Sequence, residues 1–349
     1  PLSIDIPAAV LPAHGTLLIG DFHGTREIPA VVGQLVTAAV AREPVVLALE
    51  IPTANAAAVQ AFLASDGSAA KRSELVSGPW WQAPYQDGRR SVAMADLLEA
   101  VRALRAAGKP LEVVLIDEEL EAAAREKAMA QHVIAARRAR ADAALIVYAG
   151  DLHTRKAEVA GRRGYRWMAM QVADAGIAMI SLAARRDEGT AWICLGGGPA
   201  GCGVIYSGGN GPPGTGIHLA PSPDGAYDGW FGVGSTTASP PAGIPALAAD
   251  LARKIAAAPT TPQGLKTRAR RAYSEKRYDR CAELLGQIAD PDSGTAYDQA
   301  CCLARAGHKD EAFARLQFAL DAGFGDLKHL EADDDLAPLR GDPRWPVKK

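Results

Sequence analysis

The 349-residue chain has no apolar run approaching the roughly 18 to 20 residues that a membrane-spanning helix needs, so no such span is expected. It also has no marked excess of charge of either sign. The 38 Lys and Arg stand against 40 Asp and Glu, a formal net charge of -2 with a pI near 6.4. That balance supplies no broad attraction to nucleic acid or to an anionic membrane, and neither partner is expected. Five cysteines are too few for a disulfide scaffold, and the absence of any C-x-x-C pair argues against a structural zinc site of the familiar kind. No G-x-S-x-G elbow occurs and no cysteine lies near the expected strand ends, which argues against nucleophilic catalysis by serine or cysteine.

What is present points to a chain able to bury a large core. With 48% hydrophobic and 22% charged residues, two domains are expected, over residues 1–258 and 262–349. Residues 15 to 182 alternate short β-type runs with helical stretches, the pattern of an α/β domain with a mostly parallel sheet flanked by helices. Strands are expected at Thr16 to Gly20, Pro44 to Glu50, Leu111 to Asp117, Ala144 to Gly150 and Ile177 to Ala183, each almost continuously apolar, as strands covered on both faces are. Helices are expected near Ile28 to Ala41, Asn55 to Ala64, Val92 to Ala107 and Glu119 to Ala141.

From Gly196 to Gly243 the chain is rich in Gly and Pro and loses its period, although "GWFGVGS" reads as one further strand. This stretch is either an irregular closing segment or a lid or binding loop. After Pro259 to Pro262, a plausible linker, the pattern is helical without strands. "KRYDRCAELL" and "GHKDEAFARL" share one layout about 31 residues apart, the mark of stacked helix pairs. The segment "YDQACCLARAGHKDEAFARLQFALDAGF" and the tail after it resemble the closing part of tetratricopeptide arrays. A small all-α tetratricopeptide-like domain is therefore expected, packed on the first domain or docking a peptide or protein partner.

In an open α/β sheet, ligands bind beyond the carboxyl ends of the strands. Here the first strand ends in Asp21 and His23, the second in Glu50, the third in Asp117 and Glu118, the fourth in Asp151 and His153. Four strands delivering acids or imidazoles to one edge imply a shared site. Two chemistries are open to it. His23, Glu50 and His153 could bind a divalent metal such as Mn, Co or Zn and generate hydroxide. Alternatively, the carboxylates could tune one imidazole to act as a general base toward water.

The pair "GDFHGTRE" and "AGDLHT", with Glu50 ending the intervening strand, resembles the superfamily of erythromycin esterases, ChaN haem-binding lipoproteins, and TraB and Tiki peptidases. The segments "IDEELEAAAREKAMAQHV" and "WW…DGRRSVAM" are also similar, and the likeness spans roughly residues 15 to 183. It implies a hydrolase of the esterase, lactonase or peptidase type acting on a small molecule or peptide, or a non-enzymatic ChaN-type protein binding haem or another ligand. On that likeness His23 would be the base, Asp21 and Glu50 its partners or metal ligands, and His153 the second imidazole. Arg26, matched together with Glu27, would hold an anionic group or an oxyanion. Asp117 matches the third-strand acid only loosely.

Trp80, Trp81 and Tyr85 lie in a Pro-flanked insertion and either wall a substrate pocket or pack in the core. Arg89 and Arg90 either reach the substrate or form an ordinary exposed basic pair. Cys194 and Cys202 could close a short loop as a disulfide in an oxidising compartment, whereas Cys281, Cys301 and Cys302 read as small buried apolar residues. With a chain opening at Pro1 rather than Met, processing or trimming is expected, and a periplasmic or secreted location is expected ahead of a cytoplasmic one.

Overall fold

The computed structural model describes residues 7, 9–196, 198–211 and 214–345. The outer ends of the two expected domains, including Pro1, lie outside the described residues. Those described form two compact units: the residues up to Val204 with Gly209–Ile255, and Ile205–Gly208 with the residues from Ala256 onward.

The first unit is built on a seven-stranded sheet. Its strands in chain order are β1 (Thr16–Asp21), β2 (Val45–Pro52), β3 (Leu111–Asp117), β4 (Ala144–Gly150) and β5 (Ile180–Arg185), joined later by β8 (Thr215–His218) and β9 (Gly229–Val233). Strands β6 (Gly189–Cys194) and β7 (Cys202–Ser207) form a separate pair. The spatial order is β3-β2-β4-β1-β5-β9-β8, with every neighbouring pair parallel except β8 and β9. Alternation along the buried strands sends side chains to two faces. Leu17, Ile19, Leu47, Leu49 and Tyr148 meet the helices Glu27–Val40, Ala56–Leu63 and Val92–Ala106 on one face. Leu18, Val46, Ala48, Val147 and Ala149 meet Ala122–Ala139 and Met168–Asp174 on the other. The result is a helix–sheet–helix sandwich, the α/β fold that the alternating pattern predicts.

The fifth strand begins at Ile180 rather than Ile177, because Gly176 at φ 77 turns the chain out of the Met168–Asp174 helix. The Gly- and Pro-rich stretch holds more order than its composition suggests. Its strands are too short and too rich in Gly to leave a periodic signal. Its final part closes on the first strand's loop: Arg26 donates its backbone N–H to Thr237 O, Ser239 N–H donates to Gly24 O, and Glu27 accepts from Thr237 N–H at 2.9 Å. Isolated bridges Thr25 to Ala238 and Ser91 to Pro241 extend that seam.

Two disulfides are present, Cys194–Cys202 and Cys281–Cys302, with Cys301 buried as a thiol. The first agrees with the short-loop expectation. The second corrects the reading of Cys281 and Cys302 as unpaired apolar residues; they sit on successive helices, Tyr278–Gly286 and Ser293–Ala306, facing the same core. This second unit is helical, with Pro262–Ser274, Lys309–Asp321 and Leu327–Ala332 completing it, and each long helix packs on the next.

Gly24 is fixed by two constraints. Its φ of 74 lies in the left-handed region, and a methyl group there would overlap the carbonyl oxygen of Trp192 on β6. Gly88, at φ 97, packs as closely from the other side: a Cβ there would lie 2.6 Å from Gly24 N and from Trp192 O. Gly24→Ala should therefore cost about 2 to 4 kcal/mol of stability, read as a lower midpoint in denaturant melts at unchanged slope.

Candidate active site

Strands β3, β2, β4 and β1 lie side by side and parallel, so Asp117, Glu50, Gly150 and Asp21 arrive at one edge of the sheet. The register between β2 and β3 shifts between Leu49 and Pro52, an irregularity that brackets Glu50. One Glu50 oxygen, Oε2, accepts the Gly150 backbone N–H at 2.6 Å. The other, Oε1, accepts from Arg125 Nη2 at 2.6 Å and from Arg89 Nη1 at 3.3 Å. Asp117 lies under the same two guanidiniums, accepting from Arg89 Nη1 at 2.7 Å and from Arg125 Nε and Nη2 at 2.7 and 2.8 Å.

The two imidazoles stand on either side of Glu50. His23 Nδ1 is 2.6 Å from Asp21 Oδ2, and its Nε2 is 3.7 Å from Glu50 Oε2. His153 Nδ1 is 2.8 Å from Glu126 Oε1, and its Nε2 is 3.7 Å from Glu50 Oε1 and 3.2 Å from Arg125 Nη1. Both reach the space over Gly150. A methyl group on Gly150 would come within 3.0 Å of His23 Nε2 and 3.4 Å of both Glu50 Oε2 and His153 Cδ2.

Four of the carboxylates lie deeper than the basic groups. The side chains of Asp21, Glu50, Asp117 and Glu126 are 2 to 5% exposed, whereas those of His23, Arg125, Arg89 and His153 are 24, 21, 16 and 14% exposed. Buried carboxylates thus anchor an accessible layer of imidazoles and guanidiniums. Burial disfavours a charge on His23, but the carboxylates of Asp21, Glu50 and Asp87 outweigh it and raise its pKa to about 9. Burial likewise opposes ionisation of Glu50, and the imidazoles and guanidiniums around it hold its carboxyl well below the usual range. Behind the site, burial and Asp21 raise the Tyr148 phenol well above its usual value.

Of the residues singled out in the sequence, His23, Asp21, Glu50, His153, Asp117 and Arg89 come together here. Others are directed elsewhere. Asp151 turns away toward β5, its Oδ1 3.4 Å from Ala184 N and its pKa pushed up to about 6, first by burial and then by Asp21. Arg26 is exposed and lines a groove of about 1140 Å³ between Glu27–Val40 and Val92–Ala106, while Glu27 is engaged by Thr237. Trp80 and Trp81 are core residues in edge-to-face contact, and Arg90 lies over the Trp80 ring with its guanidinium bonded to Tyr85 O. Three site residues were not singled out: Arg125, Glu126 and Asp87. All three fall within the family-like segments, Arg125 and Glu126 in "IDEELEAAAREKAMAQHV" and Asp87 in "WW…DGRRSVAM", which were the one available signal.

No family model and no curated protein matches the chain. Solved structures do. A mutant of the erythromycin esterase EreC, in an open conformation, shares 12% identity at a TM-score of 0.52, over 66% of this chain and 93% of its own. A succinoglycan biosynthesis protein shares 11% identity at a TM-score of 0.51, over 66% of this chain and 90% of its own. At these identities the likeness is one of fold.

Because folded His23 keeps its proton to about pH 9, against 6.5 in the unfolded chain, its stabilising contribution is complete below pH 6.5 and declines as pH rises toward 9. Asp21→Asn removes its closest carboxylate. The variant should titrate His23 at a lower pH by NMR, and its stability should fall less steeply between pH 6.5 and 9 than that of the parent.

Proposed function

We propose that the protein is a hydrolase that activates water between His23 and His153 and cleaves an ester, lactone or peptide bond. The observation that carries this reading is the convergence of two carboxylate-backed imidazoles on the space over Gly150, with Glu50 between them. Such a pair can take one proton and give another within a single turnover. The fold likeness to an erythromycin esterase supports an ester or lactone ahead of a peptide.

A divalent metal at His23, Glu50 and His153 is the rival reading. Imidazoles backed by carboxylates are suited to metal ligation. Against it, Glu50 Oε1 is already shared by two guanidiniums, and Arg125 stands 3.2 Å from His153 Nε2, where an incoming cation would be repelled. The residues fit proton transfer better than a metal ion. The same commitments count against haem.

His23→Ala and His153→Ala should each lower kcat on p-nitrophenyl esters or lactones by at least about 100-fold, with far-ultraviolet circular dichroism unchanged. Turnover retained in both variants would reject the site. Chelator treatment should leave activity intact; its loss, restored by Mn, Co or Zn, would instead favour the metal reading. Activity should also decline above about pH 9, as His23 loses the proton it donates.

We further read the chain as working outside a reducing cytoplasm, with its helical unit resembling a tetratricopeptide array. The two disulfides support the first point and the stacked helices the second. Protein isolated without reductant and alkylated after denaturation should carry one label, on Cys301.

A further inference from the structure

We infer that the groove between the helices Glu27–Val40 and Val92–Ala106 is a binding site for a free long-chain carboxylate, with the charged head at Arg26 and the alkyl chain lying along the two helices. The inference is independent of the hydrolase reading and uses none of the residues around Gly150.

The two ends of the groove differ in charge. At one end the helices start side by side, because both are pinned to the same later segment: Arg26 N–H donates to Thr237 O, Val92 N–H to Pro240 O, and Ala93 N–H to the Ser239 hydroxyl at 2.9 Å. Both helices line the groove onward from there, to Ala41 and Ala100, so they run in the same direction. The positive ends of their dipoles, each about half a charge, therefore add rather than cancel. The Arg26 side chain lines the groove at this end, is exposed, and has no hydrogen-bond or ion-pair partner among the described residues. The acids of the two helices are committed: Glu27 accepts from Thr237 N–H, Asp96 is paired with Arg72 at 2.6 Å, and Glu99 with Arg102 at 2.7 Å. An uncompensated cation thus marks one end, and it suits an anionic head.

The rest of the groove suits a chain without polar groups. From Arg26 to Ala41 it follows the first helix for about 22 Å, at about 1.5 Å per residue. Ala30, Gly33 and Ala38 line it from one helix and Leu97 and Ala100 from the other, with Pro240 toward the head end. The Thr37 hydroxyl, which also lines it, is spent on Gly33 O at 2.8 Å. An extended peptide laid here would bury backbone N–H and C=O groups without partners, a cost that an alkyl chain does not carry. A carboxylate of about 12 to 16 carbons is about 15 to 20 Å long, given carbon–carbon bonds of about 1.5 Å in zigzag. That length fits between Arg26 and Ala41, and the groove volume of about 1140 Å³ accommodates it.

Calorimetric titration of the full chain with tetradecanoate at pH 8 and low salt, below the micelle concentration, tests this. One molecule should bind per chain. Decanoate, four methylenes shorter, should bind at least about 10-fold more weakly, and tetradecyltrimethylammonium should not compete. Arg26→Gln should weaken tetradecanoate about 5- to 30-fold. Ala100→Phe, which fills the groove from an exposed helix position, should weaken it at least about 10-fold with the circular dichroism and melting midpoint unchanged. Absence of binding, equal binding of the ammonium, or an affinity that neither variant lowers would overturn the inference. It would also fall if the ligand-free protein sediments as a dimer that Ala100→Phe dissociates, since a second copy then covers the groove, or if the chain binds phosphatidylglycerol vesicles but not free tetradecanoate. None of these measurements reads ester turnover, so failure here leaves the hydrolase reading standing.

Discussion

The site depends on one buried carboxylate. Glu50 sits at the end of β2 almost entirely out of water, and such a charge is tolerated only if it is paired and hydrogen-bonded. Its partners come from three separate parts of the chain: the Gly150 N–H from β4, Arg89 from the insertion after β2, and Arg125 from the helix after β3. Satisfying that single group therefore draws in the elements that carry the rest of the site. Asp117 repeats the demand one strand away and shares both guanidiniums, so each arginine is held by two buried acids at once. Rigidity of this kind keeps two imidazoles aimed at one small volume.

The parts of this arrangement that lie on strands were legible in the sequence. Apolar runs ending abruptly at Asp21, Glu50 and Asp117 mark the carboxyl edge of a parallel sheet, and parallel pairing brings those ends together by geometry alone. The helical contributions were not legible. Arg125, Glu126 and Lys127 share one Ala-rich helix, and its composition does not indicate which of them turn inward; the inward face is set by Met129, Ala130 and Val133 packing on the sheet. The adjacent pair Arg89 and Arg90 poses the same difficulty. One reaches Glu50 and Asp117 while the other lies over Trp80, a choice made by the turn at Gly88 and by the contact of Gln86 O with the Trp192 indole.

The first motif shows why a matching string does not translate position by position into a site. In "GDFHGTRE" the residues up to His23 face the sheet edge, and Gly24 then reverses the chain at positive φ. Everything after that turn serves another purpose. Arg26 and Glu27 begin a helix stitched to the 237–239 segment, through the Arg26 backbone N–H and the Glu27 carboxylate.

That stitching also bears on how the chain reaches its native state. The loop that presents His23 is complete only when it meets residues 237–239, more than two hundred positions later, and the Ser91 region waits for Pro241 in the same way. Contacts of such long sequence separation slow folding, since the intervening chain must be closed into a loop before they form. On a ribosome, β1 through β5 emerge and can pair well before the seam exists. The nascent unit would then carry its sheet with the candidate site's edge unfinished, and that edge would be completed late, with the synthesis of a Gly- and Pro-rich stretch.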